Sequence, residues 1–352
     1  MSLASYLAAA PKAELHVHFQ GSILPQTLLA LARRNRIELP SDTEEGLRRW
    51  FIYRDFNHFA GIYDLICTCL RTVDDYELVA YEIGANLARQ NVRYAEVTFT
   101  AGEHERATLR GVDFLAGLSR GRVRARQDFG VELNWVFDIV RSHPPPTHAD
   151  FVTRSAIDGR AEGVVALGLG GPEIGFPPEP FARWFEQART AGLHSAPHAG
   201  ETVGPASVWG ALRALGAERI GHGVRSIEDP ALVRHLAETG VPLELNPTSN
   251  VRLGVYPSLA DHPLRRLHEA GVTITVSSDD PPLFNTTVTE EVQLLATAFD
   301  YDVDAIDEIL LNSVRHAFLP EPSRRALEAE FRAELTALKA AHLTADTTSL
   351  PA

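Results

Sequence analysis

Lysine is almost missing from this chain: only Lys12 and Lys339 occur, so arginine carries nearly all of the positive charge. Cysteine is equally scarce. Cys67 and Cys69 stand two apart in the helical-looking stretch YDLICTCLRTVDDYE, a spacing poorly suited to pairing with each other, which predicts buried thiols in a reducing compartment. No run approaches the ~20 apolar residues of a membrane span, and the opening MSLASYLAAAP has no basic segment before its apolar one. The expectation is a soluble, cytoplasmic protein with no membrane partner. A concentrated basic surface is also absent. The net charge is −13, spread without long acidic blocks, which argues against a nucleic-acid binder, because such proteins neutralise phosphates with clustered basic groups. Small or neutral ligands are the expected partners.

What the chain does have is length and apolar content: 352 residues, 45% of them hydrophobic, enough for two ordinary domains or for one α/β barrel. Short runs rich in β-branched residues decide between these. They fall at AELHVH (13–18), VRYAEVTF (92–99), ELNWVFDIV (132–140), GVVALGL (163–169), LHSAPH (193–198), RIGH (219–222), VPLELN (241–246) and VTITVS (272–277). Helical patterns such as PFARWFEQARTAG and PALVRHLAETG lie between them, each closed by glycine. Eight strands alternating with helices predict an α/β fold of the (β/α)8 TIM barrel type, one domain over residues 1–352.

The later strands are separated by roughly 20 to 40 residues, enough for one crossover helix each. The first interval is longer, so extra helices are expected after the first strand, over about residues 25–90, above the barrel mouth. Within it, Phe56, Phe59 and Tyr63 share one helical face, which either packs in the core or covers a pocket as a lid. SHPPPTH (142–148) reads as a stiff surface connection, and the charged stretch over about 321–343 as a C-terminal helix with a solvated face.

In a strand, residues two apart point to the same face, so His16 and His18 project together near the end of the first strand. Other strands end on chemically active residues as well: His198 and Glu201 in HAGE, His222 in GHG, Asp279 and Asp280 in SSDDPP. In a parallel barrel all of these belong to the C-terminal rim, where active sites assemble from several strands. Three neutral histidines and one carboxylate suit zinc, which accepts nitrogen and oxygen ligands and keeps an open position in catalytic sites. The assigned ligands are His16, His18, His198 and Asp279. Both lysines lie at the ends of the chain, so a carboxylated lysine cannot bridge two metals in mid-barrel; one Zn2+ per chain is expected.

PKAELHVHFQGS, VRYAEVTF, VVALGLGGPE, PHAGET, RIGHGVR, LELNPTSN and VSSDDPPLF occur in an order and spacing that resemble the adenosine deaminase family of the amidohydrolase superfamily. These are barrel enzymes that hydrolyse the 6-amino group from adenine-type compounds. The resemblance implies a metal-activated water that attacks C6 of the purine, with His222 orienting the water and taking its proton. It makes Glu201 the donor to ring N1. A general acid has to be protonated when needed, so burial should raise the pKa of Glu201, unless the metal's field offsets it. Asp280 would meet N7 and the backbone N–H of Gly171 would meet N3, while Glu173 and Asn246 read as structural. The other zinc chemistry of base deamination needs a His/Cys/Cys site with a P-C-x-x-C signature, and this chain has no C-x-x-C.

Gln20 departs from the family pattern. An aspartate that bonds the ribose 5′-hydroxyl is usual there in adenosine deaminases, and a glutamate in adenine deaminases. An amide can donate as well as accept and carries no charge to repel an anion. Some bacterial members act on 6-aminodeoxyfutalosine, an intermediate of the menaquinone pathway whose 5′ side carries a ketone and a carboxybenzoyl group. Gln20 and the aromatic face would fit that extension, and Arg141, just past the third strand, could meet its carboxylate or could form a rim salt bridge. Adenosine comes next as substrate, then adenine. Two other classes compete: a different amidohydrolase reaction, which would not need Glu201 or Asp280, and a dead binding protein, which predicts loss of a ligand or acid that is in fact present.

Overall fold

All eight of the stretches rich in β-branched residues form strand in the computed structural model, which describes residues 2–53, 56–102, 113–143 and 145–343, with Phe56 and Asn57 described in backbone only. Every pairing is parallel. The first four strands are long: β1 (Lys12–His18), β2 (Val92–Phe99), β3 (Glu132–Val140) and β4 (Val164–Gly170). Three later ones are short: β7 (Ile220–His222), β8 (Leu243–Leu245) and β9 (Ile274–Val276).

The fifth stretch departs from expectation by splitting into β5 (His194–Ser195) and β6 (His198–Ala199). Pro197 lies between them and has no N–H to give to a ladder. β5 therefore pairs with β4 and β6 with β7. The seam is held by Ala196 N–H donating to Leu167 O (3.1 Å) and by Pro197 O accepting from Gly221 N–H (3.0 Å). At the opposite seam Val17 bridges Asp279; His18 N–H donates to Asp279 O (2.8 Å), and Asp279 N–H donates to His16 O (3.1 Å). The nine segments thus close into a (β/α)8 barrel. This second seam also carries three of the residues assigned to the metal.

The insertion after β1 contains helices Pro25–Asn35, Glu44–Trp50, Phe56–Thr68 and Val73–Arg89. Pro25 sits at the first helical position, where its missing N–H costs nothing. The last of the four packs against helix Phe114–Phe129 as an ordinary member of the outer layer, so the part over the mouth is narrower than the sequence implied. Helix Phe56–Thr68 supplies it. Phe59 and Tyr63 both line the cavity there, and Phe59 stacks on Phe284 with ring centroids 5.8 Å apart. The side chain of Phe56 lies outside the described residues.

SHPPPTH is a surface connection in its middle, where Pro145, Pro146 and Thr147 are exposed; its ends turn inward, since Ser142 and His143 line the cavity and the His148 ring is buried, accepting from Val140 N–H (3.0 Å). The C-terminal helix forms over Glu321–His342 with a solvated face, and its other face buries Phe331 and Leu335 while Lys339 pairs with Asp307 (2.7 Å). Cys67 and Cys69 are buried and are not joined in a disulfide. No helix among the described residues is long and apolar enough to cross a membrane.

Candidate active site

Strand ends deliver the assigned ligands to one point. His18 Nε2 lies 3.2 Å from His198 Nε2 and 3.2 Å from Asp279 Oδ1, and His16 Nε2 lies 3.5 Å from the same carboxylate oxygen. The outward nitrogen of His16 is committed, Nδ1 to Glu244 Oε2 at 2.9 Å, which leaves Nε2 for the site. Ser249 Oγ donates to Asp279 Oδ2 (2.6 Å) and so leaves Oδ1 to the histidines. His222 and Asp279 both adopt positive φ (59° and 64°), which costs a side chain roughly 1–2 kcal/mol each and aims it inward from the strand end. Three imidazole nitrogens and a carboxylate oxygen that converge this closely match the donor set of a catalytic zinc. His198 Nδ1, buried and with no hydrogen-bond partner among the described residues, leaves that ring held only through its inward nitrogen. The donor set therefore fits the metal. On distance alone His222 also groups with His16 and His198, their nitrogens within 4.8 Å of one another.

The remaining acids stand beside this cluster. Burial pushes the Glu201 carboxyl up to about 8, with the charges of Asp279 and Glu173 adding to the effect. That is the direction a general acid requires, and a divalent cation nearby would act in the opposite sense. Its Oε1 has no hydrogen-bond partner among the described residues and lies 3.8 Å from His222 Nε2. Burial likewise pushes Asp280 up, and the Asp279 charge adds to it. Asp280 is packed against Gly21 so closely that a Cβ there would lie 1.6 Å from its Oδ1; only glycine fits. His18, His198, His222, Glu201, Asp279 and Asp280 open onto one cavity of about 290 Å3, which His16 does not line.

Glu173 holds the loop that carries the acid. Its Oε2 accepts from the backbone N–H groups of Glu201 (2.9 Å), Thr202 (2.6 Å) and Val203 (3.0 Å), and its Oε1 from Gly200 N–H (2.7 Å) and Ser207 Oγ (2.7 Å). Burial opposes its ionisation, but these bonds and the Arg141 charge hold its pKa below the usual value. The structural reading of Glu173 is supported, and its role is to position Glu201. Asn246 braces the rim: in the orientation that satisfies its amide, the NH2 donates to Ser277 O (3.0 Å) and Leu245 O (3.2 Å).

Arg141 does something other than expected. It is 1% exposed and does not line the cavity. Its guanidinium donates to four backbone carbonyls, those of Leu169 (3.4 Å), Gly170 (3.3 Å), Phe176 (3.3 Å) and His198 (2.5 Å). Among the described residues it forms no salt bridge; it ties β4 to β6. Gln20 is fully buried too. Its Oε1 accepts from Tyr63 OH (3.0 Å), and its Nε2 donates to Thr100 O (3.4 Å), so it stands behind Tyr63 and Thr100, which do line the cavity. Gly171 is on the cavity wall with φ of +82°, and a Cβ there would press on Val140 Cγ1 at 3.1 Å.

Sequence reasoning missed the residues that orient His16. Arg219, 1% exposed, lies between Glu96 and Glu244, donating to Glu244 Oε1 at 2.5 Å and to Glu96, while Glu244 in turn holds His16. The available signal was charge inside apolar strands: Glu96 in VRYAEVTF, Glu244 in VPLELN and Arg219 in RIGH.

A closed parallel barrel whose C-terminal rim gathers imidazoles, one carboxylate for them to share and a carboxyl that burial pushes up is the architecture of the amidohydrolases, here in the form that hydrolyses C–N bonds outside peptides. The adenosine deaminase family profile matches residues 11–333, and the chain belongs to that family. It is 42% identical to an aminodeoxyfutalosine deaminase of Streptomyces avermitilis, over 93% of this chain and 92% of that protein. It is 39% identical to an adenine deaminase of Cupriavidus necator, over 95% and 93%. Among solved structures, an amidohydrolase of Burkholderia ambifaria with bound zinc superposes with a TM-score of 0.88 at 26% identity, covering 97% of this chain and 95% of that one. The protein is a deaminase of adenine-like substrates.

Proposed function

We propose that the protein hydrolyses the 6-amino group of 6-aminodeoxyfutalosine, using one zinc held by His16, His18, His198 and Asp279. The observation that carries the chemistry is the convergence of those four donors, three of which line one cavity together with Glu201 and Asp280. Zinc, when bound, supplies Lewis acidity that makes a water nucleophilic near neutral pH. The protein's own groups do the rest. Glu201, whose carboxyl burial pushes up, gives its proton to ring N1, so that C6 gives up aromaticity at lower cost and accepts the water. Asp280 meets N7, and the Gly171 backbone N–H meets N3. His222 reaches the same space through Nε2 and orients the water. One proton of the water passes to the amine, which leaves as ammonia, and the other restores the Glu201 acid.

The substrate reading rests on the 42% identity to the Streptomyces enzyme and on the cavity wall, where Phe59 and Tyr63 would face a carboxybenzoyl ring and Ser142 and His143 would offer its carboxylate polar partners in place of Arg141. Gln20 acts on this wall at one remove by fixing Tyr63. The Cupriavidus relative favours adenine as a second reading. The test is side-by-side deamination of 6-aminodeoxyfutalosine, adenosine and adenine by zinc-loaded protein, followed by loss of the 6-aminopurine spectrum. The expected order puts 6-aminodeoxyfutalosine first in kcat/KM. A wide margin for either of the others refutes the substrate assignment, and no ammonia from any of them refutes the deaminase.

A further inference from the structure

Behind His222 runs a chain of three hydrogen bonds that starts at a backbone amide. Leu264 N–H donates to His262 Nδ1 (3.2 Å). A backbone N–H can only donate, so His262 Nδ1 accepts and the ring proton of neutral His262 is on Nε2. That Nε2–H faces Asn250 Oδ1 at 3.0 Å and fixes the amide, because the opposite orientation would set its NH2 against another N–H. Asn250 Nδ2 is thereby turned to His222 Nδ1, to which it donates at 3.1 Å. A neutral imidazole that accepts at Nδ1 carries its proton at Nε2.

His222 Nε2 is the atom aimed into the site, 3.8 Å from Glu201 Oε1 and 3.9 Å from Asp279 Oδ2. Asn246, in its satisfied orientation, sets an oxygen 3.5 Å from the same Nδ1, too far to compete with the 3.1 Å bond. Asn250 is fully buried and His262 5% exposed, so water does not replace either bond. A second proton on His222, at Nδ1, would be set against the Asn250 amino group.

We propose that Asn250 and His262 are positioning residues that lock neutral His222 as an Nε2–H donor, so that His222 holds the attacking water by donating to its oxygen and is not the base that removes its proton. This rests on the deaminase reading for its consequence but not for its measurement. In zinc-loaded protein labelled with 15N-histidine, long-range proton–nitrogen correlation separates the two neutral tautomers, and the His222 signals are identified by their loss in His222→Gln. The expected wild-type pattern is a protonated Nε2 and a bare Nδ1. Asn250→Asp keeps the shape and the acceptor for His262 but places an oxygen where the amino group was, and the His222 proton should move to, or be joined by one at, Nδ1. Its kcat should then fall by about 10²-fold or more with KM changed less than about threefold. A base role predicts the opposite, since a carboxylate behind an imidazole strengthens it as a base. A wild-type proton on Nδ1, or Asn250→Asp as active as wild type, overturns the proposal. The spectrum needs no substrate to be turned over, so this inference and the deaminase reading fail separately.

Discussion

Replacing Glu173 by glutamine tests whether the acid loop is held as the structure describes. The carboxylate is 5% exposed and accepts from four backbone N–H groups, at Gly200, Glu201, Thr202 and Val203, as well as from Ser207 Oγ. Glutamine has the same shape but one oxygen. Its NH2 is best tolerated at the Oε1 position, where the Ser207 hydroxyl can turn to accept and only the Gly200 N–H is left unpaired. An orphaned buried donor costs about 1–3 kcal/mol, and losing the charge weakens each remaining bond by roughly 1 kcal/mol. Relief of the buried charge's desolvation offsets part of this, so the net loss is about 2–4 kcal/mol. With an unfolding entropy of about 2 cal/mol/K per residue over 352 residues, Tm should fall by about 3–5 °C. Misplacing Glu201 should lower kcat by about 10²-fold, while zinc content, set by groups that Glu173 does not touch, stays at the wild-type level. The sign of the pH effect follows from the lowered Glu173 pKa. Its contribution is complete above the unfolded pKa and is lost as pH falls through the depressed folded value, so Glu173→Gln should flatten the acid limb of stability. Thermal melts across pH, with steady-state kinetics, read all of this. A variant within about 0.5 kcal/mol of wild type and fully active would refute the reasoning.

Other perturbations separate positioning from contact. Arg219→Met leaves Glu96 and Glu244 buried without their cation and should cost about 3–5 kcal/mol, measured by urea unfolding. Arg141→Met should lower kcat/KM for all three purines by a similar factor, because the guanidinium meets only backbone carbonyls; a loss confined to 6-aminodeoxyfutalosine would show that it reaches the substrate. Gly21→Ala drives a methyl into Asp280 and should lower kcat by about 10²-fold with zinc retained, as metal analysis would show.

Much of the barrel was legible because strand and crossover helix repeat with a period that hydrophobic patterning records. Where Pro197 interrupts the fifth strand, the same pattern overran a break that depends on one missing N–H. The sequence could place His16 and His18 on one face and polar residues at later strand ends, since a parallel barrel brings those ends to one rim. It overreached where a long polar side chain had two directions to take. Arg141 follows a strand that ends at the cavity, yet the carbonyls of Leu169, Gly170 and His198 draw its donors inward.

The sequence by itself therefore determined the fold class, the residue types at the rim and the family, all of which follow from local pattern and strand order. Only the tertiary structure decided which groups face the cavity, that Arg219 and Glu244 stand behind His16, and that a backbone amide at Leu264 bears on the proton of His222. Those are properties of pairs. A hydrogen bond's direction depends on a partner tens or hundreds of residues away, and no spacing along the chain records which of two orientations leaves every donor with an acceptor.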